Sequence, residues 1–243
     1  MRRDVGFCIP WVSLWLCACA PPPELGDGEQ GARVDAARLD RKVADGPCGF
    51  PSPGEAGYGV EVGHRIANNA KSEVALVDCE SEPLELADFF CARDDDYGDF
   101  NRGVFINVGA GWCSPCQEET LEFPALYEEY HARGIEFVQV LFQDWNAQAP
   151  TEQFCSDWRE GRWITAAGGD FDAQTHLPFP IVMDQRFGWT GVYLGDPSAA
   201  TPMNLLIDAN GNIRWKLAGS KPDPETLRAQ FELVIQEPYA PPQ

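Results

Sequence analysis

An apolar run from Val104 to Val108 leads through Gly109, Ala110 and Gly111 into Trp112-Cys113-Ser114-Pro115-Cys116, after which the chain turns helical. The run suits a strand buried on both faces. Beyond Cys116, Phe123, Leu126, Tyr127 and Tyr130 recur at i, i+3, i+4 and i+7, which predicts an amphipathic helix ended by Gly134 after Arg133. Pro124 sits inside that pattern and is expected to kink it. A strand that feeds a tight turn into a helix places Cys113 at the helix N-terminus, where free backbone N–H groups and the helix dipole stabilise a thiolate. Cys116 lies one turn on and can attack a mixed disulfide formed on Cys113. Pro115 stiffens the small ring and suits a first helical turn. A lone Cys-x-x-Cys says little. This one, preceded by Trp112 and set between a buried strand and an amphipathic helix, points to thiol–disulfide chemistry.

The remaining chain alternates strand and helix signals. Val74 to Val77 reads as a short strand, with Leu84 to Leu86 pairing back on it and Ala87 to Cys91 as a helical turn. Ile135 to Phe142 is a second buried strand, Pro150 to Arg159 a helix with Phe154 and Trp158 four apart, and Phe179 to Met183 a third strand. Met203 to Ile207 and Asn212 to Leu217 flank Asp208-Ala209-Asn210-Gly211, a hairpin signal. Asp223 as N-cap and Pro224 at the first helical position open a last helix whose buried stripe is Leu227, Phe231 and Val234. This order predicts an α/β fold with a mixed central sheet flanked by helices, preceded by a small N-terminal hairpin appendage. The long connection from Gly161 to Leu177 reads equally as a functional loop and as surface decoration. Asp94, Asp95, Asp96 and Asp99 lack the EF-hand spacing and read as a solvated loop.

The N-terminus reads as a targeting segment rather than part of the fold. Arg2 and Arg3 precede an apolar run from Val5 to Ala18, too short to span a bilayer comfortably and suited to the core of a secretory signal. It ends in Leu16-Cys17-Ala18-Cys19, which resembles a bacterial lipobox and implies cleavage before a lipid-bearing Cys19, with Cys17 an unusual occupant. The expected organisation is a signal over 1–19, a Pro-, Gly- and acid-rich tether over 20–47, a folded domain over 48–237 and a Pro-rich tail over 238–243. The expected location is the periplasm or cell envelope, with a lipid anchor as the sole membrane attachment.

Three of the nine cysteines, Cys8, Cys17 and Cys19, fall in the targeting segment, which leaves six: Cys48, Cys79, Cys91, Cys113, Cys116 and Cys155. An even count in an exported chain favours disulfides. With Cys113 and Cys116 paired by spacing, the other four allow three pairings. The short separation of Cys79 and Cys91 favours that bridge and leaves Cys48 with Cys155, while buried free thiols are the alternative. No second Cys-x-x-Cys or His pair completes a zinc site, so no metal is expected. The only redox group expected is the Cys113–Cys116 disulfide itself. A formal net charge of -20 argues against binding nucleic acid or anionic lipid through charge.

Asn107, Gly111 to Cys116, Glu118-Glu119 with Pro124, Phe179-Pro180 through Asp184, and Thr201-Pro202 followed by Met203 to Asn212 together resemble the thioredoxin-like family. Within it they look like the extracytoplasmic TlpA/ResA-like branch (redoxin, AhpC/TSA-type), over roughly residues 60 to 236. The resemblance implies a thioredoxin fold and a thiol–disulfide oxidoreductase acting on disulfide-bearing proteins, more as a reductant than an oxidant, fed by a membrane thiol donor. It implies Cys113 as attacking thiol, Cys116 as resolving thiol, Trp112 packed beside them, and Thr201-Pro202 as the cis-proline loop that pairs with substrate backbone. Glu119 matches an acidic residue near the site that assists proton transfer, and an exposed helix residue is the plain alternative. Asn107 stands where thioredoxin itself carries a buried aspartate.

Three other readings compete. A peroxiredoxin needs Thr or Ser three residues before its cysteine, and Ala110 stands there. A Sco-like copper chaperone spaces its cysteines by three and uses a distant histidine; here the spacing is two and only His64, His131 and His176 exist. A non-enzymatic thioredoxin-fold binding module with a structural Cys113–Cys116 bridge is the third.

Overall fold

Eight consecutive buried residues, Gly103–Ala110, form an interior strand of the sheet, and their alternation serves two cores at once. Val104, Ile106 and Val108 face one apolar layer, while Phe105 faces the other. The computed structural model describes residues 59–69, 74–91, 102–163, 176–194, 201–209 and 211–237. The expected signal, the lipidation site Cys19, Cys48, the tether, the tail, the acidic loop and most of the 161–177 connection lie outside the described residues.

In chain order the elements are β1 (Leu76–Asp78), β2 (Pro83–Leu84), α1 (Leu86–Cys91), β3 (Gly103–Ala110), α2 (Ser114–Thr120), α3 (Phe123–Tyr130), a 3-10 turn (His131–Arg133) and β4 (Ile135–Gln143). Then follow α4 (Glu152–Arg159), β5 (Ile181–Met183), α5 (Gly188–Leu194), β6 (Met203–Asp208), β7 (Ile213–Ala218) and α6 (Pro224–Gln236). The strands form one seven-stranded sheet in the order β2-β1-β5-β4-β3-β6-β7. β3 pairs in parallel with β4, and β4 with β5, while β6 and β7 add antiparallel strands on the other side of β3. This is the expected mixed α/β sheet of a thioredoxin fold. The N-terminal hairpin does form, with Leu76 opposite Leu84. It is more than an appendage, because β1 also pairs antiparallel with β5 and so extends the central sheet.

Local chemistry sets the element ends. Asp223 caps α6 by accepting from the Thr226 N–H at 2.9 Å, and Thr151 caps α4 by accepting from the Phe154 N–H at 3.2 Å. Gly134 takes a left-handed φ of 93° before β4. The single kinked helix expected after Cys116 is two helices. Pro124 lies in the first turn of α3, where its missing N–H costs nothing, and the break falls before it at Leu121 and Glu122. The sequence reading did not foresee α5, since Gly188, Thr190 and Gly191 weaken its helical signal. Asp184 compensates by accepting from the Gly188 and Thr190 N–H groups at 2.9 and 2.6 Å.

The bridge pairing differs from the expectation. Cys79 is bonded to Cys155, with Cα atoms 5.2 Å apart, so neither Cys79–Cys91 nor Cys48–Cys155 forms. Sequence separation misled because the pairing of β1 with β5 is a long-range event. That pairing carries the turn after β1 to the start of β5, where α4 also packs. Both sulfurs lie 3.9 Å from the Ile181 carbonyl oxygen.

Candidate active site

β3 ends at Ala110, and the chain turns through Gly111 and Trp112 so that Cys113 caps α2. The turn is tightly built. Gly111 donates to the Gln143 carbonyl at 2.9 Å, Cys113 N–H donates to the Ala110 carbonyl at 3.1 Å, and the Gln117 side chain donates to the Gly111 carbonyl at 2.6 Å. A Cβ on Gly111 would stand 2.7 Å from backbone atoms of Asp144 and Trp145, so only glycine fits.

Cys113 and Cys116 form a disulfide with Cα atoms 5.2 Å apart. The Cys116 N–H donates to Cys113 Sγ at 3.2 Å, which brings a backbone donor onto the sulfur that would carry negative charge once the bond opens. Cys116 is fully buried and Cys113 nearly so, whereas the neighbouring Trp112 is 41% exposed. The Trp112 indole donates to Gln143 Oε1 at 2.8 Å and meets Phe142 edge-on, so the exposed ring is held in place. Gly109 lies beneath the disulfide, where an added Cβ would meet Cys116 Cβ at 3.2 Å and its Sγ at 3.5 Å.

The Thr201–Pro202 peptide bond is cis. Met203, the first residue of β6, pairs with Val108 in antiparallel register, so the preceding Thr201–Pro202 runs alongside the end of β3, where the chain turns toward Cys113. Both sequence-selected segments therefore converge at one end of the sheet.

Glu119 lies in α2, one turn beyond Cys116, and is completely buried rather than exposed. Its carboxyl is pushed up to about 8, chiefly by loss of water. Two amides oppose that shift: Asn204 Nδ2 donates to Oε1 at 2.7 Å and Asn107 Nδ2 donates to Oε2 at 2.9 Å. Nearby Glu122 raises it further, and Lys221 lowers it.

Sequence reasoning singled out Asn107 but missed the residues that complete this cluster with it. Gln139, Asn107 and Asn204 are direct cross-strand neighbours on β4, β3 and β6, in register and all buried. Gln139 Nε2 donates to Asn107 Oδ1 at 2.8 Å and to the Thr120 hydroxyl at 2.6 Å, and Asn107 Nδ2 also donates to Asn204 Oδ1 at 2.9 Å. Thr120 in turn donates to the Cys116 carbonyl at 2.7 Å. The Trp158 indole on α4 donates to Gln139 Oε1 at 2.7 Å. A signal was present: each of the three strands is an apolar run broken by an amide on the face shared with Phe105, Phe137 and Leu206.

Cys19 and Cys48 lie outside the described residues. Among the described residues, no group of three His, Cys, Asp or Glu side chains is placed to hold a metal ion, and no helix is long and apolar enough to cross a membrane.

Comparison with known proteins places this geometry in context. The family model described as Redoxin matches residues 96–231, which include the cysteine pair, Glu119, the three strand amides, Trp158 and Pro202. The chain is 26% identical over 162 residues to the thiol-disulfide oxidoreductase ResA of a Bacillus cereus strain, covering 67% of this chain and 72% of that one. It is 24% identical over 178 residues to ResA of Bacillus thuringiensis subsp. konkukian, covering 73% of this chain and 79% of that one. A crystal structure described as a thiol:disulfide interchange protein DsbE, from Chlorobium tepidum, superposes with a TM-score of 0.50 at 19% identity, over 72% of this chain and 99% of that one. At that identity the likeness speaks for the fold alone.

Proposed function

The chain belongs to the redoxin family and is a thiol–disulfide oxidoreductase of the TlpA/ResA-like kind; from that premise we propose that Cys113 and Cys116 are its redox pair and that it reduces disulfides in proteins of the cell envelope. The observation that carries this reading is the Cys113–Cys116 disulfide at the start of α2, with a backbone N–H on Cys113 Sγ and a buried carboxyl one turn beyond Cys116.

In the dithiol form, the Cys113 thiolate attacks one sulfur of a substrate disulfide. That S–S bond breaks, and the departing substrate sulfur leaves as a thiolate that takes a proton from water. Cys116 then gives its proton to the Glu119 carboxylate and attacks Cys113 Sγ, which releases the second substrate thiolate and closes the Cys113–Cys116 bridge. Two electrons pass to the substrate. A carboxyl titrating near pH 8 in the disulfide state keeps the proton it received at neutral pH and can return it to Cys116 on re-reduction. A membrane thiol donor supplies the returning electrons. The exposed face of Trp112 and the Thr201-Pro202 segment hold the substrate chain.

The extracytoplasmic location rests on the Val5 to Ala18 run and on the six cysteines that follow Cys19. The lipid anchor rests on Cys19, and labelled palmitate entering wild type but not Cys19→Ser is the expected result.

The test of the redox reading is the reduction potential of Cys113–Cys116, measured in defined thiol buffers. A value of roughly -270 mV or lower fits a reductase fed by a membrane donor; a value of roughly -120 mV makes the protein a disulfide-forming oxidant and overturns the direction. A bridge that never opens under mild reductant defeats the redox pair altogether.

A further inference from the structure

The buried amides beneath the disulfide form a chain with only one self-consistent direction. An indole N–H donates and cannot accept. The Trp158 N–H faces Gln139 Oε1 at 2.7 Å, so that oxygen must be the acceptor, and Gln139 turns its NH2 toward β3. That NH2 meets Asn107 Oδ1 at 2.8 Å; reversing Asn107 would set two NH2 groups against each other. Asn107 therefore presents both of its N–H bonds away from Gln139, one to Glu119 Oε2 and one to Asn204 Oδ1. Asn204, with its oxygen so used, must donate to Glu119 Oε1. Every amide oxygen on this path between Trp158 and Glu119 is committed, as are both N–H bonds of Gln139 and of Asn107.

We infer that Trp158 is a positioning residue for the redox centre: its donor-only indole fixes the polarity of the Gln139–Asn107–Asn204 chain, so that Glu119 meets an N–H donor at each oxygen. The inference rests on the reading that Glu119 handles the proton of Cys116. Two donors and no amide acceptor favour the carboxylate, the form that can take that proton, against the burial that favours the acid. The charged groups facing Glu119 are Glu122, which follows α2, and Lys221, which precedes α6; these two are paired with each other at 2.7 Å, outside the amide chain. The three strands that pack against Glu119 contribute the amides Gln139, Asn107 and Asn204.

Without the indole N–H, Gln139 can rotate its amide, with the Thr120 hydroxyl turning from the Cys116 carbonyl to donate to the Gln139 oxygen. Asn107 can then follow and offer its oxygen to the Glu119 carboxyl proton. The acid form gains an acceptor, and Glu119 holds its proton more tightly.

The experiment follows the Glu119 carboxyl directly, by carbon NMR of the full chain labelled at glutamate carboxyls, in the disulfide state. The signal is assigned by its loss in Glu119→Gln. In Trp158→Phe the titration midpoint is expected to move to higher pH, with the proton held roughly tenfold more tightly, as for one charge-assisted hydrogen bond gained or lost. Gln139→Met, which breaks the chain at its next link and keeps Trp158 in the core, is expected to move the midpoint the same way. It decides the matter alone if Trp158→Phe does not fold. A midpoint unchanged or lowered in the folded variants overturns the inference, since a merely structural tryptophan would leave it in place. The parent reading is judged separately: if Glu119→Gln leaves the pH profile of substrate-disulfide reduction unchanged, Glu119 is not the proton handler, whatever the carboxyl midpoint does in Trp158→Phe.

Discussion

Asn107 on β3 donates its side-chain N–H to Glu119 on α2 at 2.9 Å, across a site from which water is excluded. The bond joins an interior strand of the sheet to the helix that opens at the cysteine pair, and it makes the protonation of Glu119 a property of the fold. The carboxyl sits near 8, well above the ordinary value of 4.5. Between those two values the folded chain binds a proton that the unfolded chain does not. Stability is therefore greatest below about pH 4.5 as far as this group is concerned, falls as pH rises through the interval, and levels off above about 8.

Glu119→Gln should remove that slope. A glutamine can accept at only one end, so its NH2 meets an amide donor at the other, with a pH-independent cost of about 1–3 kcal/mol. Denaturant melts of wild type and variant at pH 5 and pH 9 check this. Wild type is expected to lose roughly 4 kcal/mol more than the variant between the two, for the part of the interval between the two carboxyl values that lies above pH 5. Equal losses would show that Glu119 is not the titrating group.

The Cys79–Cys155 bridge spans 76 residues and ties the turn after β1 to α4, which carries Trp158. Closing so long a loop in the unfolded chain is worth about 4 kcal/mol in the chain-entropy account. Replacing both cysteines by alanine is expected to lower Tm by about 10 °C, since about 1 kcal/mol moves a domain of this size by a few degrees. Calorimetry reads this loss. Peptide mapping without reduction should recover the Cys79–Cys155 linkage from wild type.

Two glycines at the site should respond unequally to the same added methyl group. At Gly109 a Cβ meets Cys116 Cβ at 3.2 Å, a contact that a few tenths of an ångström relieve. At Gly111 it meets the Asp144–Trp145 backbone at 2.7 Å, and the loop after β4 must move. Gly111→Ala is expected to cost about 1–3 kcal/mol and to slow disulfide reduction by misplacing Trp112, whereas Gly109→Ala costs less. Chemical denaturation together with turnover ranks the pair, and the reverse order would contradict the packing.

Much of this was legible in the chain. The strand, turn and helix around Cys113 follow from local periodicity and capping, as do β4, the β6–β7 hairpin and α6. Long-range pairing was not legible. β1 finds β5 across about a hundred residues, and that contact decides the Cys79–Cys155 bridge. Nor was the buried cluster read: Gln139 and Asn204 are ordinary residues singly, and only sheet register sets them beside Asn107. Glu119 was equally readable as an exposed helix residue, because burial depends on α2 packing over those amides.

Asn107→Asp tests the cluster most severely. Thioredoxin itself is the resemblance that suggests the exchange, and the geometry here says it should go badly at high pH. The new carboxylate would keep the Gln139 donor on one oxygen, while its other oxygen would stand where Asn107 Nδ2 now donates to both Glu119 Oε2 and Asn204 Oδ1. Two donated bonds become oxygen-on-oxygen contacts. At low pH one shared proton can bridge the new carboxyl and Glu119 as a hydrogen-bonded pair, and the two carboxyls then titrate as a coupled unit rather than singly. Above the range where that proton is held, like charges meet within hydrogen-bonding distance in a dry site, and one must stay protonated or the site must open. The variant should therefore match wild type most closely near pH 5 and fall progressively behind it toward pH 9, by several kcal/mol. Denaturant melts across that range, with hydrogen exchange at α2 to locate the opening, provide the check. A constant difference between the two proteins at all pH values would mean that residue 107 and Glu119 do not share a proton-sensitive contact.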